Sequence, residues 1–206
     1  MNRYIMNFFS IDCSTDIGSL FVKTKNRSFS KILQSDKLNN DVLMEQILDF
    51  FDEKNLNFVD VDNIFINQGP GNFSGLRGSL ATAKGISLSK NLNLFGFDTF
   101  LWSCSKFFNK NDAIYSIINF REKFFIKKFN KNLVSNSSIK EVTEKEILKK
   151  FKSKFIVTPR AVAKCFSQKM LKLNNLNIVD LDHKNLELLK LNGLLNENLI
   201  KPLYLN

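Results

Sequence analysis

Histidine occurs once in this 206-residue chain, and cysteine only three times. These scarcities exclude much. Nucleophilic catalysis by a Ser–His or Cys–His pair needs an imidazole base within hydrogen-bond reach. The one candidate, His183, lies in the polar stretch Asp180-Leu-Asp-His-Lys184 and reads as an ordinary surface residue. A metal hydrolase needs several His, Cys or carboxylate ligands at regular spacing. No such pattern is present, so neither a metal nor a cofactor is expected. Cys13, Cys104 and Cys165 are scattered and odd in number, which fits neither a disulfide framework nor a zinc site and agrees with a reducing cytoplasm. No apolar run approaches the roughly 20 residues of a membrane span, and no signal-peptide pattern opens the chain. A cytoplasmic, membrane-free protein is expected.

Arginine is also scarce, at positions 3, 27, 77, 121 and 160 only. That disfavours a dedicated bidentate phosphate site. Yet the net charge is +10. One reading is affinity for an acidic partner. The other is compositional: Lys, Asn, Ile and Phe, all with AT-rich codons, are heavily used, and lysines occur along the whole chain. The compositional reading is favoured. Aromatics make up 12% of the chain, mostly as Phe inside apolar runs, which reads as core.

With 44% hydrophobic residues, a chain of this length buries roughly 70% of its unfolded surface. Tyr4 to Asp12 is almost continuously apolar, as in a central strand covered on both faces. Leu20 to Lys25 and Ser28 to Leu33 extend it to an antiparallel meander. Asn39 or Asn40 can cap a helix through about Lys54. Val61–Asn67 reads as a strand, Gln68–Gly75 as a Gly/Pro loop, Leu76–Leu88 as a helix and Leu92–Phe97 as a short strand. The order is β-β-β-α-β-α-β.

The second half repeats the theme less clearly. Ala113–Asn119 and Lys123–Phe129 form a hairpin, and Thr143 to Glu146 is a capping box. Phe155–Thr158 is a strand, Pro159-Arg160 opens a helix through about Leu173, and His183–Leu191 is amphipathic. Two tightly joined lobes are expected, over residues 1–103 and 104–206.

Two constellations remain for chemistry. Asp12-Cys-Ser-Thr15 ends the first strand, where an acidic group and a hydroxyl-bearing turn could hold a phosphate. Such a turn normally has glycine where this chain has Ser14, because backbone N–H groups must close on the anion. A vestigial phosphate turn of Asp12, Ser14 and Thr15 is one reading; an aspartate that satisfies its own turn is the other. Second, Gln68-Gly-Pro-Gly-Asn-Phe-Ser-Gly-Leu-Arg77 runs into a helix. It is neither a Walker loop nor a dinucleotide fingerprint. The helix carries one small-residue row at Gly75, Ser79, Ala83 and Ser87, and another at Gly78, Thr82 and Gly85. Interior glycine costs about 1 kcal/mol against alanine, so close packing is implied, either on the chain's own sheet or on another chain.

Asp12-Cys-Ser-Thr15, the Gly69–Arg77 block, Ala81-Thr-Ala-Lys-Gly85 and Gly96-Phe-Asp-Thr99 follow one another in the order and spacing of the TsaB (YeaZ) family, which they resemble. Phe120-Arg-Glu122 and Pro202-Leu-Tyr-Leu205 resemble later family features. The chain departs from the family at Cys13, a usual threonine, and at Asn39-Asn40, where many members have histidine. The resemblance implies an α/β, actin-like fold of two ribonuclease-H-like lobes. It implies a non-catalytic subunit that binds TsaD, works with TsaE, and serves transfer of threonylcarbamoyl to the adenosine beside the tRNA anticodon. It also implies a homodimer when TsaD is absent, with tRNA reached through the complex. The alternative is a metal-independent actin-like ATPase or a peptidase-like enzyme. On the first helix, Leu43, Ile47, Phe50 and Phe51 are joined by Met44 and Leu48, an apolar arc wider than the roughly 100° a surface helix needs. With the small-residue rows this places a partner interface at Leu43, Met44, Ile47, Phe51, Gly75, Ser79, Thr82 and Ala83. Binding of tRNA by the isolated chain is expected to be weak and dominated by diffuse lysine–phosphate attraction.

Overall fold

In a computed structural model, which describes residues 6–33, 40–197 and 200–205, the chain forms two compact units. One comprises residues 1–99 with 195–206, the other residues 100–194. The expected division after residue 103 lies close to the first crossing, but it does not account for the last twelve residues, which return to the first unit. Tyr4, Ile5 and the proposed cap Asn39 lie outside the described residues.

In the first unit, β1 (Phe8–Asp12), β2 (Gly18–Lys23) and β3 (Ser28–Leu33) form the antiparallel meander. The helix α1 (Asn40–Glu53) leads to β4 (Asn63–Asn67), and α2 (Phe73–Lys90) leads to β5 (Asn93–Phe97). β4 lies parallel to β1, and β5 to β4, which gives the order β3-β2-β1-β4-β5. As its continuous apolar run demands, β1 is central and buried along its whole length. Phe9 and Ile11 pack toward α1 and α2 in one core with Ile47, Phe50, Leu80 and Ala83. Phe8 stacks on Phe65 at 4.6 Å, ring centre to ring centre. The edge strand β3 alternates, leaving Ser28, Ser30 and Ile32 exposed.

α2 begins three residues earlier than expected. The Asn72 side chain accepts hydrogen bonds from the N–H groups of Ser74 and Gly75, at 3.1 and 3.5 Å, and so satisfies donors that a helix start leaves orphaned. The helix ends on Asn91 in the left-handed conformation.

The second unit repeats this topology. β6 (Ala113–Phe120) and β7 (Lys123–Asn130) pair as the expected hairpin, whose turn residues Arg121 and Glu122 both have positive φ. β8 (Lys140–Val142) adds to β7, and the helix α4 (Glu144–Lys150) leads to β9 (Phe155–Pro159). β9 is parallel to β6, and β10 (Leu176–Val179) is parallel to β9. The order β8-β7-β6-β9-β10 is that of the first sheet. A five-stranded mixed sheet of this order, occurring twice, is the ribonuclease-H-like duplication of actin-like proteins. The Thr143–Glu146 capping box is formed, each side chain bonding the other's backbone N–H.

The long helix expected from Pro159 to Leu173 is instead two short ones, α5 (Arg160–Ala163) and α6 (Gln168–Leu171). Ser167 separates them: its Oγ accepts from the Met170 N–H and donates to Glu144 Oε1 at 2.6 Å, local bonds that compete with helix continuation. Further elements not expected from the sequence are β8, β10 and α3 (Thr99–Cys104); α7 (Asn185–Leu191) closes the unit. Among the described residues no helix is long and apolar enough to cross a membrane.

His183 is not a surface residue. It is 8% exposed and lies against Trp102, ring centres 4.9 Å apart, while the indole N–H donates to the Asp182 carbonyl at 3.0 Å. Its position before α7 turns it inward, which the surrounding polar residues conceal. Burial pulls its pKa down to about 4, with Asp182 opposing. An unfolded histidine takes up a proton near pH 6.5, so stability is full above that pH and is lost as pH falls from about 6.5 toward 4. The loss expected across that window is up to about 3 kcal/mol. Denaturant titrations at pH 7.5, 5.5 and 4.5, read by the single tryptophan, should show it in the parent protein and show it largely removed in His183→Gln.

Candidate functional site

The residues at the C-terminal ends of β1 and β4 meet around the side chain of Asn67. Its Nδ2 lies 2.9 Å from Asp12 Oδ1, 3.0 Å from Thr99 Oγ1 and 3.2 Å from Ser14 Oγ. An amide nitrogen has two protons for these three oxygens, so Asp12 and the hydroxyls share them. On its other side Asn67 Oδ1 accepts from the Gly69 N–H at 2.9 Å. Asp12 Oδ1 also accepts from the Ser14 N–H at 3.0 Å. All four side chains are buried.

Asp12 and Ser14 come together as expected, but with each other and with Asn67. Thr15 is separate: it is exposed, and its hydroxyl donates to the Ile17 carbonyl at 2.8 Å. Burial raises the Asp12 pKa, while the hydrogen bonds from Ser14 and Asn67 lower it, and burial is the larger effect. Next to it, burial and the Asp12 charge push the Cys13 thiol up to about 12, so that Cys13 holds its proton and is no nucleophile near neutral pH.

The glycines have a packing role that the sequence left open. A Cβ on Gly71 would stand 2.0 Å from the Ser14 carbonyl oxygen, and one on Gly75 would stand 2.4 Å from that of Cys13. The loop is thus seated on the Asp12–Ser14 turn, and the Asn72 N–H donates to the Ser14 carbonyl at 2.8 Å. Gln68, just before the loop, holds the returning C-terminal segment. Its Nε2 donates to the Lys201 carbonyl at 2.7 Å, its Oε1 accepts from Asn196 at 2.6 Å, and its own carbonyl accepts from the Leu203 N–H at 2.6 Å. A Cβ on Gly96 would collide with this Gln68 side chain. The sequence does not single out Asn67, whereas Gln68 opens the Gly/Pro loop and Thr99 ends the Gly96–Thr99 motif. The signal available was polar residues ending the apolar run of β4, followed by Gly96-Phe-Asp-Thr99.

The expected interface residues divide. Leu43, Ile47, Phe51, Ser79 and Ala83 are buried in the first unit's own core, and Gly75 packs against Cys13. The small-residue row of α2 therefore faces its own sheet, and these six residues do not form an outer contact surface. Thr82 is half-buried, while Met44 and Leu48 are 38% and 49% exposed. Among the described residues no group of three or more His, Cys, Asp or Glu stands ready to hold a metal ion.

Two substitutions test the turn. An aspartate whose pKa is raised by folding gives stability that is present below the unfolded pKa and is lost as pH rises through the folded one. Asp12→Asn keeps the Oδ1 acceptor without the buried charge. At pH 7 it should be as stable as the parent or more so, whereas Asp12→Ala should lose about 1–3 kcal/mol, because Asn67 and the Ser14 N–H lose their acceptor. Gly71→Ala meets backbone, which cannot move aside like a flexible side chain, and should lose at least about 1–3 kcal/mol. Chemical denaturation at pH 7 measures all three.

Comparison with known proteins brings three findings. Residues 35–113 match the family model "TsaD: tRNA N6-adenosine threonylcarbamoyltransferase". A protein of Buchnera aphidicola subsp. Baizongia pistaciae, "tRNA threonylcarbamoyladenosine biosynthesis protein TsaB", is 33% identical over 85 residues, which span 40% of this chain and 38% of that relative. Two structures from Pseudomonas aeruginosa, "YeaZ" and a protein "with similarity to peptidase YEAZ", share the fold at a TM-score of 0.71 and 14% identity. They cover 97% and 98% of this chain and 100% of their own. The chain thus resembles the TsaB/YeaZ family in its motifs, in sequence over 40% of its length, and in fold over nearly all of it.

Proposed function

We propose that the chain is a non-catalytic subunit of the cytoplasmic machinery that makes N6-threonylcarbamoyladenosine in tRNA. It binds the catalytic TsaD subunit and activates it for transfer of threonylcarbamoyl to the adenosine beside the anticodon. TsaE joins the larger assembly, and without TsaD the chain pairs with itself. The observation that carries this reading is the use of the most family-specific block, Gly69–Arg77, to seat a loop on the Asp12–Ser14 turn. The groups an actin-like enzyme would turn toward a phosphate are engaged with Asn67 and with each other.

The docking face is what α1 and α2 leave outward. The two helices pack against each other. Met44 and Leu48 lie one helical turn apart on α1 and stay exposed, as does Leu88 on α2, and the position above Gly85 is open. Exposed apolar side chains beside small residues suit a partner helix.

Met44→Glu combined with Leu48→Glu changes exposed positions only and should alter stability by no more than about 0.5 kcal/mol per site. Its affinity for TsaD should fall at least about tenfold, because a charge at the centre of an interface is desolvated without a partner. Titration calorimetry with TsaD measures this, and unchanged affinity removes this face from the proposal. In a reconstituted assay the parent chain should stimulate TsaD-dependent modification of tRNA and show no ATP turnover of its own. Turnover by the chain alone that vanishes in Asp12→Ala would favour the actin-like ATPase reading instead.

A further inference from the structure

The positive charge is not shared between the units. Residues 100–194 hold 19 Lys and Arg against 8 Asp and Glu, a balance of +11. Residues 1–99 with 195–206 hold 11 against 12, a balance of −1, and the two sum to the chain's +10. Lysine alone numbers 17 in the 95 residues of the second unit and 8 in the 111 of the first. Codon bias acts on both units alike and does not produce this difference.

Within the second unit several carboxylates are already engaged. Glu141 pairs with Lys123 at 3.0 Å, Glu146 with Lys150 at 2.6 Å, and Asp180 with Arg160 through two bonds. Glu144 accepts from Ser167. Three of the remaining lysines come together where α4 and α6 meet. Lys145 and Lys149, one turn apart on α4, and Lys169 on α6 line an open depression of about 460 Å³ with Leu148 and Glu144. All three lysines are exposed. Like charges at i and i+4 on a helix are unfavourable by a few tenths of a kcal/mol without a counter-charge. The depression is open and lined by long point-charge side chains. That suits a chain of phosphates, which needs no fixed bidentate geometry.

We infer that the second unit, through the Lys145–Lys149–Lys169 depression, binds the phosphodiester backbone of structured RNA. The choice of RNA rests on the function proposed above; the placement of the site does not. This replaces the expectation of diffuse lysine–phosphate attraction with a localised one.

The test is fluorescence anisotropy of labelled, unmodified tRNA with the full chain at 50–250 mM KCl. One variant carries Lys145→Gln, Lys149→Gln and Lys169→Gln. A control of equal charge change carries Lys25→Gln, Lys84→Gln and Lys90→Gln, exposed positions of the first unit. The second-unit variant should bind at least about tenfold more weakly at 100 mM salt, with a log–log salt slope shallower by about two to three. The control should stay within about twofold of the parent. Equal losses in both variants, or none in either, overturn the inference. So does polyglutamate binding as tightly as tRNA through the same lysines, which would indicate an acidic protein surface. Titration of both variants with TsaD separates the two proposals. Lost RNA binding with TsaD affinity intact is the result expected of the second-unit variant. If the chain binds tRNA through these lysines but never binds TsaD, the proposed function fails and the RNA site stands.

Discussion

The Asn67 carboxamide joins three segments that are distant in sequence: the Asp12–Ser14 turn, its own loop at Gly69, and Thr99. Its nitrogen reaches the end of β1 at Asp12, the turn at Ser14 and the start of α3 at Thr99, while its oxygen takes the Gly69 N–H. Burying an aspartate is costly unless hydrogen bonds compensate it. Here the compensation comes from a residue that also sets the path of the following loop. Once Asn67 is placed, Gln68 next to it is directed at the C-terminal segment, and Gly69 onward is brought down on the Ser14 turn. The order of the loop follows from one satisfied polar group in an otherwise apolar layer.

Close approach is the second constraint, and it depends on the first. Backbone meets backbone at Gly71 over Ser14 and at Gly75 over Cys13, and backbone meets side chain at Gly96 beside Gln68. A side chain at any of these points would lift α2 or β5 away from the ends of β1 and β4 and would pull the Asn67 network apart. The family-like block of glycines is thus the steric imprint of a polar contact. The same arrangement leaves α2 with its small-residue row spent inside the unit and its outward side free of that task. The proposed partner face therefore rests on Met44, Leu48 and Leu88, not on the row that first suggests it.

Two copies of one sheet topology have diverged in what they carry. The first unit holds the polar network, the glycine loop and near-neutral charge; the second holds no such loop and most of the lysine. A division of labour between a unit that docks a protein and a unit that meets a polyanion is the functional sense of this asymmetry under the proposals made here.

The order of elements in the first unit, the β6–β7 hairpin and the Thr143 capping box were legible because each depends on neighbours in sequence: an apolar period, a two-residue turn, a hydroxyl three residues before a glutamate. The family resemblance was legible because the glycine loop is continuous. The burial of His183, the break at Ser167 and the inward direction of Ser79 and Ala83 were not, for each depends on a partner elsewhere in the chain: Trp102, Glu144 and the first unit's apolar core. The sequence by itself determined the order of strands and helices in the first unit, because each is set by neighbours along the chain. Only the tertiary structure decided what the polar and glycine residues at the strand ends are for. A hydrogen bond between Asn67 and Asp12 spans 55 positions and leaves no periodic trace, and a glycine reads the same in a sequence whether it opens a site or closes one.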